Sequence, residues 1–114
     1  MIARGNLYWI ASDDPAVTYR HPHVVVQDDV LNASRITTTV VVALTSQLAT
    51  ANEPGNVLLE PGEGDLPQQS VVVVSQIMSI DKTRLGAPIG TLSPARVDQV
   101  LDGLAFQQRA FFRS

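Results

Sequence analysis

Four consecutive valines, Val71 to Val74, constrain the fold of this chain more than any other feature. Their β-branched side chains are stiff at χ1 and pack well on a pleated surface. An unbroken apolar run leaves no face for solvent. Ser70–Ile77 therefore reads as a strand buried on both sides, in the centre of a sheet or in an interface. Other segments supply its partners. Asn6–Ala11 and His23–Gln27 read as strands, the second of them buried. Ile36–Leu44 is the longest β-branched run, and Asn56–Glu60 and Ile89–Leu92 complete the set. Asp13-Asp14-Pro15, the Asp28–Ser34 loop and the Pro61–Asp65 cluster separate them with turn-forming residues. Gln47–Gly55 reads as a loop or short helical turn, and Ile80–Gly86 as a charged connection.

The helix signal comes last. Ser93 is a natural N-cap and Pro94 fits the first helical position, where a missing N–H is harmless. Val97, Val100, Leu101 and Leu104 then recur at i, i+3, i+4 and i+7 as one apolar face, and Phe111 and Phe112 extend it. Short strands closed by one amphipathic helix predict a mainly β, α+β fold: a small barrel or half-barrel with the helix packed on it. At 114 residues the chain fits one domain, 1–114.

Several chemistries are excluded or disfavoured by composition. With no cysteine there is no disulfide scaffold, thiol nucleophile or Cys-rich zinc site. His21 and His23 are the only imidazoles, too few for a three-histidine catalytic metal centre. The net charge of −3 lacks the Lys/Arg surplus of a non-specific duplex-DNA binder, so any nucleic-acid contact must be local or shared across an oligomer. No apolar run approaches the ~20 residues of a membrane span. Arg4, Gly5 and Asn6 interrupt the N-terminal apolar stretch, which leaves a cytoplasmic protein with no membrane partner as the expectation.

Seven colinear segments resemble the MazF/PemK toxins of type II toxin-antitoxin systems. They begin with Arg4-Gly5-Asn6-Leu7-Tyr8-Trp9, His21-Pro22-His23-Val24-Val25-Val26 and Val42-Ala43-Leu44-Thr45-Ser46. Val57-Leu58-Leu59, Ser70-Val71-Val72 with Ser75-Gln76-Ile77, Ile80–Gly86 and Ile89–Pro94 follow in family order. The resemblance implies an SH3-like barrel of the CcdB/PemK type, a homodimer, and a metal-independent endoribonuclease that cuts single-stranded RNA. It also implies a cognate antitoxin whose tail occupies the RNA groove.

Such cleavage uses the RNA's own 2′-hydroxyl as nucleophile. The enzyme must remove its proton, steady the phosphorane and protonate the leaving 5′-oxygen. The resemblance gives Thr45 a catalytic role, against the plainer reading that Thr45 and Ser46 only turn the chain. Where the family has arginine before proline, this chain has His21. Imidazole has no permanent charge and no bidentate fork, but it moves protons near neutral pH. Three readings are open. His21 serves as acid/base while Arg20 supplies the fixed charge; Arg20 takes the arginine's place; or the site is weakened. The connection from Pro15 to Pro22 is shorter than is common in the family, and Tyr19 there reads either as a ring that stacks on an unpaired base or as an exposed loop aromatic. Ser46, Gln76 and Arg84 are further candidates to bind RNA. Val73, Ser75 and Met78 stand where family members carry charged residues. His23, at a strand start and opposite in face to Val24, reads as packing or surface. The competing function is a non-catalytic protein of the same fold that binds DNA gyrase, as CcdB does, or binds only an antitoxin.

Overall fold

The computed structural model describes the backbone of residues 1–113 and the side chains of residues 1–109. Six strands form one antiparallel sheet: β1 (Asn6–Ala11), β2 (Arg20–Val25), β3 (Thr38–Thr45), β4 (Val57–Leu58), β5 (Val71–Asp81) and β6 (Pro88–Thr91). Their order is β4-β5-β3-β2-β1-β6. The helices are α1 (Asp29–Asn32) and α2 (Pro94–Arg113), with 3₁₀ turns at Leu48–Asn52, Glu63–Asp65 and Lys82–Arg84.

The valine run behaves as its sequence predicts. Val71 to Val74 are all buried, and β5 lies between β3 and β4. The strand does not stop at Ile77, however. It continues to Asp81 because Thr38–Val42 of β3 needs Ile77–Asp81 opposite it, and Ile80 is buried there. The expected charged connection thus shrinks to the Lys82–Arg84 turn, capped by Asp81 accepting from the Thr83 N–H at 2.8 Å. A second difference is that β2 begins at Arg20 rather than His23. Its polar start pairs with β1, Arg20 opposite Ala11 and Pro22 opposite Trp9. On the other side β3 joins only from His23 onward, so Pro22 has one neighbouring strand and its missing N–H breaks no ladder. The Asp28–Ser34 loop also contains α1, which Asp28 caps by accepting from the Val30 N–H at 2.8 Å. Behind it, buried Asn32 accepts from Gln27 and from the Thr39 hydroxyl, 3.0 and 2.9 Å away.

Between β3 and β5 the register slips. Val42 faces Ile77, yet Leu44 faces Val72, so Ala43 alone stands opposite Val73, Val74, Ser75 and Gln76. The Val74 N–H, left without a ladder partner, donates to Asn56 Oδ1 at 3.1 Å. An odd slip exchanges the faces of the strand. On one side Leu7, Val24, Leu44, Val72 and Val74 form the main core with Val97, Val100 and Leu104 of α2. On the other, Ile10, Val25, Val41 and Ile80 form a smaller cluster.

The sheet curls into a half-barrel. Its edge strands β4 and β6 are not hydrogen-bonded to each other. The Glu63–Asp65 turn spans the gap instead: Gly64, at φ +61°, lies against Leu7 and Leu92, and a side chain on Gly90 would collide with the Gly64 carbonyl. The helix starts as expected, with Ser93 Oγ accepting from the Arg96 N–H at 3.2 Å. The side chains of Phe111 and Phe112 lie outside the described residues.

Helix α2 comes down on the Gly55 carbonyl through Gly103, where a β-carbon would overlap that oxygen. Helix propensity alone would make Gly103→Ala stabilising by about 1 kcal/mol. Overpacking of this contact opposes it by about 1–3 kcal/mol. Thermal denaturation is expected to show a lower melting temperature for Gly103→Ala; a rise would mean that the helix withdraws from Gly55 without penalty.

Candidate functional site

A cleft of about 790 Å³ opens on the sheet face away from the main core. Strand pairing explains its floor. Ile10 pairs with His21 and His23 with Ala43, so all four side chains share a face that alternates with Leu7, Val24 and Val42. Gln76 shares this face with Met78 by alternation, and the register slip brings Val73 and Ser75 to the same cleft. A smaller cavity of about 190 Å³ lies beside it, lined by Arg20, Ser46, Trp9 and Gln68 among others. His21 and Thr45 line both cavities and so stand at their junction.

The residues singled out in the sequence fall unevenly around this junction. Thr45, at the end of β3, accepts from the Gln47 N–H at 3.2 Å. That bond turns the chain, as the plainer reading holds, yet it uses only the oxygen and leaves the hydroxyl proton free to donate. His21 is exposed, and the Tyr19 ring meets it edge-on with centroids 4.7 Å apart and planes at 74°. Tyr19 lines neither cavity and acts on the site through that contact. Arg20 is the only formally charged residue of the small cavity and makes no ion pair among the described residues. Ser46 is beside it, exposed. Gln76 is in the large cleft, exposed. Arg84 also reaches the large cleft, but its guanidinium is held by Asp13 at 2.9 Å and donates to the Ala11 carbonyl at 3.2 Å. Lys82, by contrast, donates to the Asn32 carbonyl at 3.0 Å and serves the fold.

Charge is distributed unequally between the two cavities. Asp13, Asp14 and Glu53 line the large cleft against the single guanidinium of Arg84. Val73, Ser75 and Met78, the positions where family members carry charged residues, do reach that cleft and leave it uncharged there. Phosphate is therefore better received on the Arg20 side. The acid-lined cleft suits the donor edges of unpaired bases. Among the described residues no three of His, Cys, Asp or Glu come together in a way that would hold a metal ion.

Of the two sequence readings of His23, packing or surface, the structure bears out packing. His23 is buried at 6% exposure and forms part of the cleft wall. Its Nδ1 lies 2.9 Å from the His21 carbonyl oxygen. A carbonyl can only accept, so Nδ1 carries the hydrogen. Burial lowers the pKa of the ring from 6.5, more than this hydrogen bond raises it, and the nearby His21 and Arg84 lower it further. The signal was present in the i, i+2 spacing from His21, which puts both rings on one face. Asp13, Asp14 and Glu53 were missed because only the curled sheet brings their loops to the cleft.

Because His23 resists protonation in the folded chain, the unfolded chain binds more protons as the pH falls below 6.5. Stability is present above that pH and is lost as the pH falls toward the depressed value. Urea unfolding at pH 7.5 and pH 5.5 is expected to show this loss in the wild-type chain and a smaller one in His23→Gln. Equal losses would show that other groups carry the effect.

The chain matches the family model of the PemK-like, MazF-like toxins of type II toxin-antitoxin systems over residues 3–107. Endoribonuclease MazF6 of Mycobacterium tuberculosis is 36% identical over 107 residues, which cover 91% of this chain and 94% of that protein. Endoribonuclease EndoA of Bacillus subtilis is 31% identical over 108 residues, 91% of each. An endoribonuclease solved in complex with its cognate antitoxin, from a mycobacterial species, superimposes with a TM-score of 0.76 at 24% identity over 93% of both chains. A MazE-MazF structure from Deinococcus radiodurans gives 0.75 at 18% identity over 94% of both. The two structures share the curled sheet and C-terminal helix, and the family model and the sequence relatives carry the rest: the chain belongs to the PemK/MazF family of type II toxins.

Proposed function

We propose that the chain, as one domain over residues 1–114, is the toxin of a type II pair and a metal-independent endoribonuclease acting on single-stranded RNA. The observation that carries this reading is the position of His21 and Thr45, each lining both the small cavity and the large cleft. A strand of RNA passing from one to the other presents a phosphate to both side chains. The Thr45 hydroxyl donates to a phosphate oxygen, Arg20 supplies the permanent positive charge, and the His21 imidazole handles the protons that arginine cannot exchange near neutral pH. Tyr19 holds His21 edge-on, and Ser46, Gln76 and Arg84 contact the RNA on either side. Arg84 must first exchange Asp13 for phosphate.

The relatives' names are those of endoribonucleases, which disfavours the CcdB-like gyrase binder and a chain that only titrates antitoxin. By the same kinship the working form is a cytoplasmic homodimer, and a cognate antitoxin competes with RNA for the groove. No described helix is long and apolar enough to cross a membrane.

The test is cleavage of mixed-sequence RNA in EDTA. Products ending in a 2′,3′-cyclic phosphate are expected, and a folded sample that cuts no RNA with or without metal sinks the proposal. Thr45→Ala is expected to lose roughly 10²- to 10³-fold in rate, as for removal of a single oxyanion donor. His21→Ala and His21→Arg should both lose activity. A gain in His21→Arg would show that charge, not proton transfer, limits the natural site.

A further inference from the structure

The only two histidines of the chain stand two residues apart on β2, so they leave the same face of the sheet, and both line the large cleft. Their environments are opposite. His21 is open to solvent, while His23 is buried except where it meets the cleft. With Nδ1 committed to the His21 carbonyl, the free lone pair of His23 is on Nε2. No buried side-chain nitrogen or oxygen among the described residues lacks a partner. Nε2, which has no partner among the described residues, is therefore the atom through which His23 reaches the cleft. One imidazole thus turns an acceptor toward the cleft, and the other is open to water.

We propose that His23 is the general base and His21 the general acid of RNA cleavage, a reading that rests on the endoribonuclease activity proposed above. His23 Nε2 takes the proton of the 2′-hydroxyl as the O2′–P bond forms. The P–O5′ bond breaks with its electron pair passing to O5′, which takes the proton of the His21 imidazolium. The products are a 2′,3′-cyclic phosphate and a 5′-hydroxyl, and both rings return to their starting states by exchange with water. Same-face neighbours on a strand stand roughly 6.6 Å apart, close enough for the two rings to flank one phosphate group.

The groups that set the pH response surround His23 on every side. His21 is on its own strand and Tyr8 is opposite on β1. Asp13 and Asp14 come from the β1–β2 connection, Glu53 from beyond the Leu48–Asn52 turn, and Arg84 from beyond β5. β3 and β5 contribute no charged group to the cleft. Desolvation dominates these influences and keeps the base unprotonated.

The experiment measures kcat/KM against pH on an oligonucleotide cut by the wild type, and on the same oligonucleotide with sulfur replacing the 5′-bridging oxygen. A thiolate leaves without an acid. The wild-type profile is expected to be bell-shaped on oxygen and to lose only its basic limb on sulfur, a result that needs no variant to fold. His21→Ala should lose on the order of 10²- to 10⁴-fold on oxygen and recover to within about tenfold on sulfur. His23→Gln, checked for folding by thermal denaturation, should lose activity on both and lack the acidic limb. Wild-type cleavage with both limbs kept on sulfur, or His23→Gln at wild-type rate, overturns the assignment and leaves the ribonuclease standing. Absence of any wild-type cleavage removes both.

Discussion

The architecture depends on the register slip between β3 and β5. A regular ladder would continue the pairing of Val42 with Ile77 and keep one set of β5 side chains on each face. Instead Ala43 alone spans Val73 to Gln76. The change lets Val72 and Val74 enter the α2 core at one end of the strand, while Met78 and Ile80 face the opposite side at the other. Without the slip the valine run would lose its two-sided burial. The cleft would also lose the wall that Val73 and Ser75 provide. Asn56 holds the slip in place by satisfying the freed Val74 N–H.

That geometry lets a chain of net negative charge hold the RNA site proposed above. The two cavities divide the work electrostatically: Arg20 has no carboxylate beside it in the small one, whereas Asp13, Asp14 and Glu53 dominate the large one. Arg84, which its sequence position marks as an RNA contact, is restrained by Asp13. An exposed ion pair of this kind is worth little in stability, about 0–1 kcal/mol, and is easily exchanged. Its weight falls on what Arg84 can reach when no ligand is bound.

Much of this was legible in the sequence. The strands, the Ser93-Pro94 helix start and the buried valines follow from propensity and periodicity, and the toxin-family segments single out Thr45 and His21, which the fold brings to one junction. The shortfalls have particular causes. β5 extends past Ile77 because its length is set by β3, a non-local demand. α1 forms where Asp and Asn content suggested only a loop, since Asp28 caps it and buried Asn32 anchors it through Gln27 and Thr39. The slip opposite Ala43 leaves no mark in local composition. Nor does Gly103 announce its contact with Gly55, which exists only once the helix docks. Which of packing or surface applied to His23 was open in the sequence because its burial depends on how β1 and β3 flank it.

Pro22 separates two duties of the molecule. At this residue β2 has a neighbour on one side only, and on either side of it His21 and His23 are set by the pleat of the strand. The spacing of the imidazoles is thus fixed by backbone geometry, independent of the connections that border the cleft. The connections that border the cleft therefore act on the two rings from outside: Tyr19 touches His21 and Asp13 holds Arg84, yet neither sets the distance between the imidazoles, which the strand alone fixes.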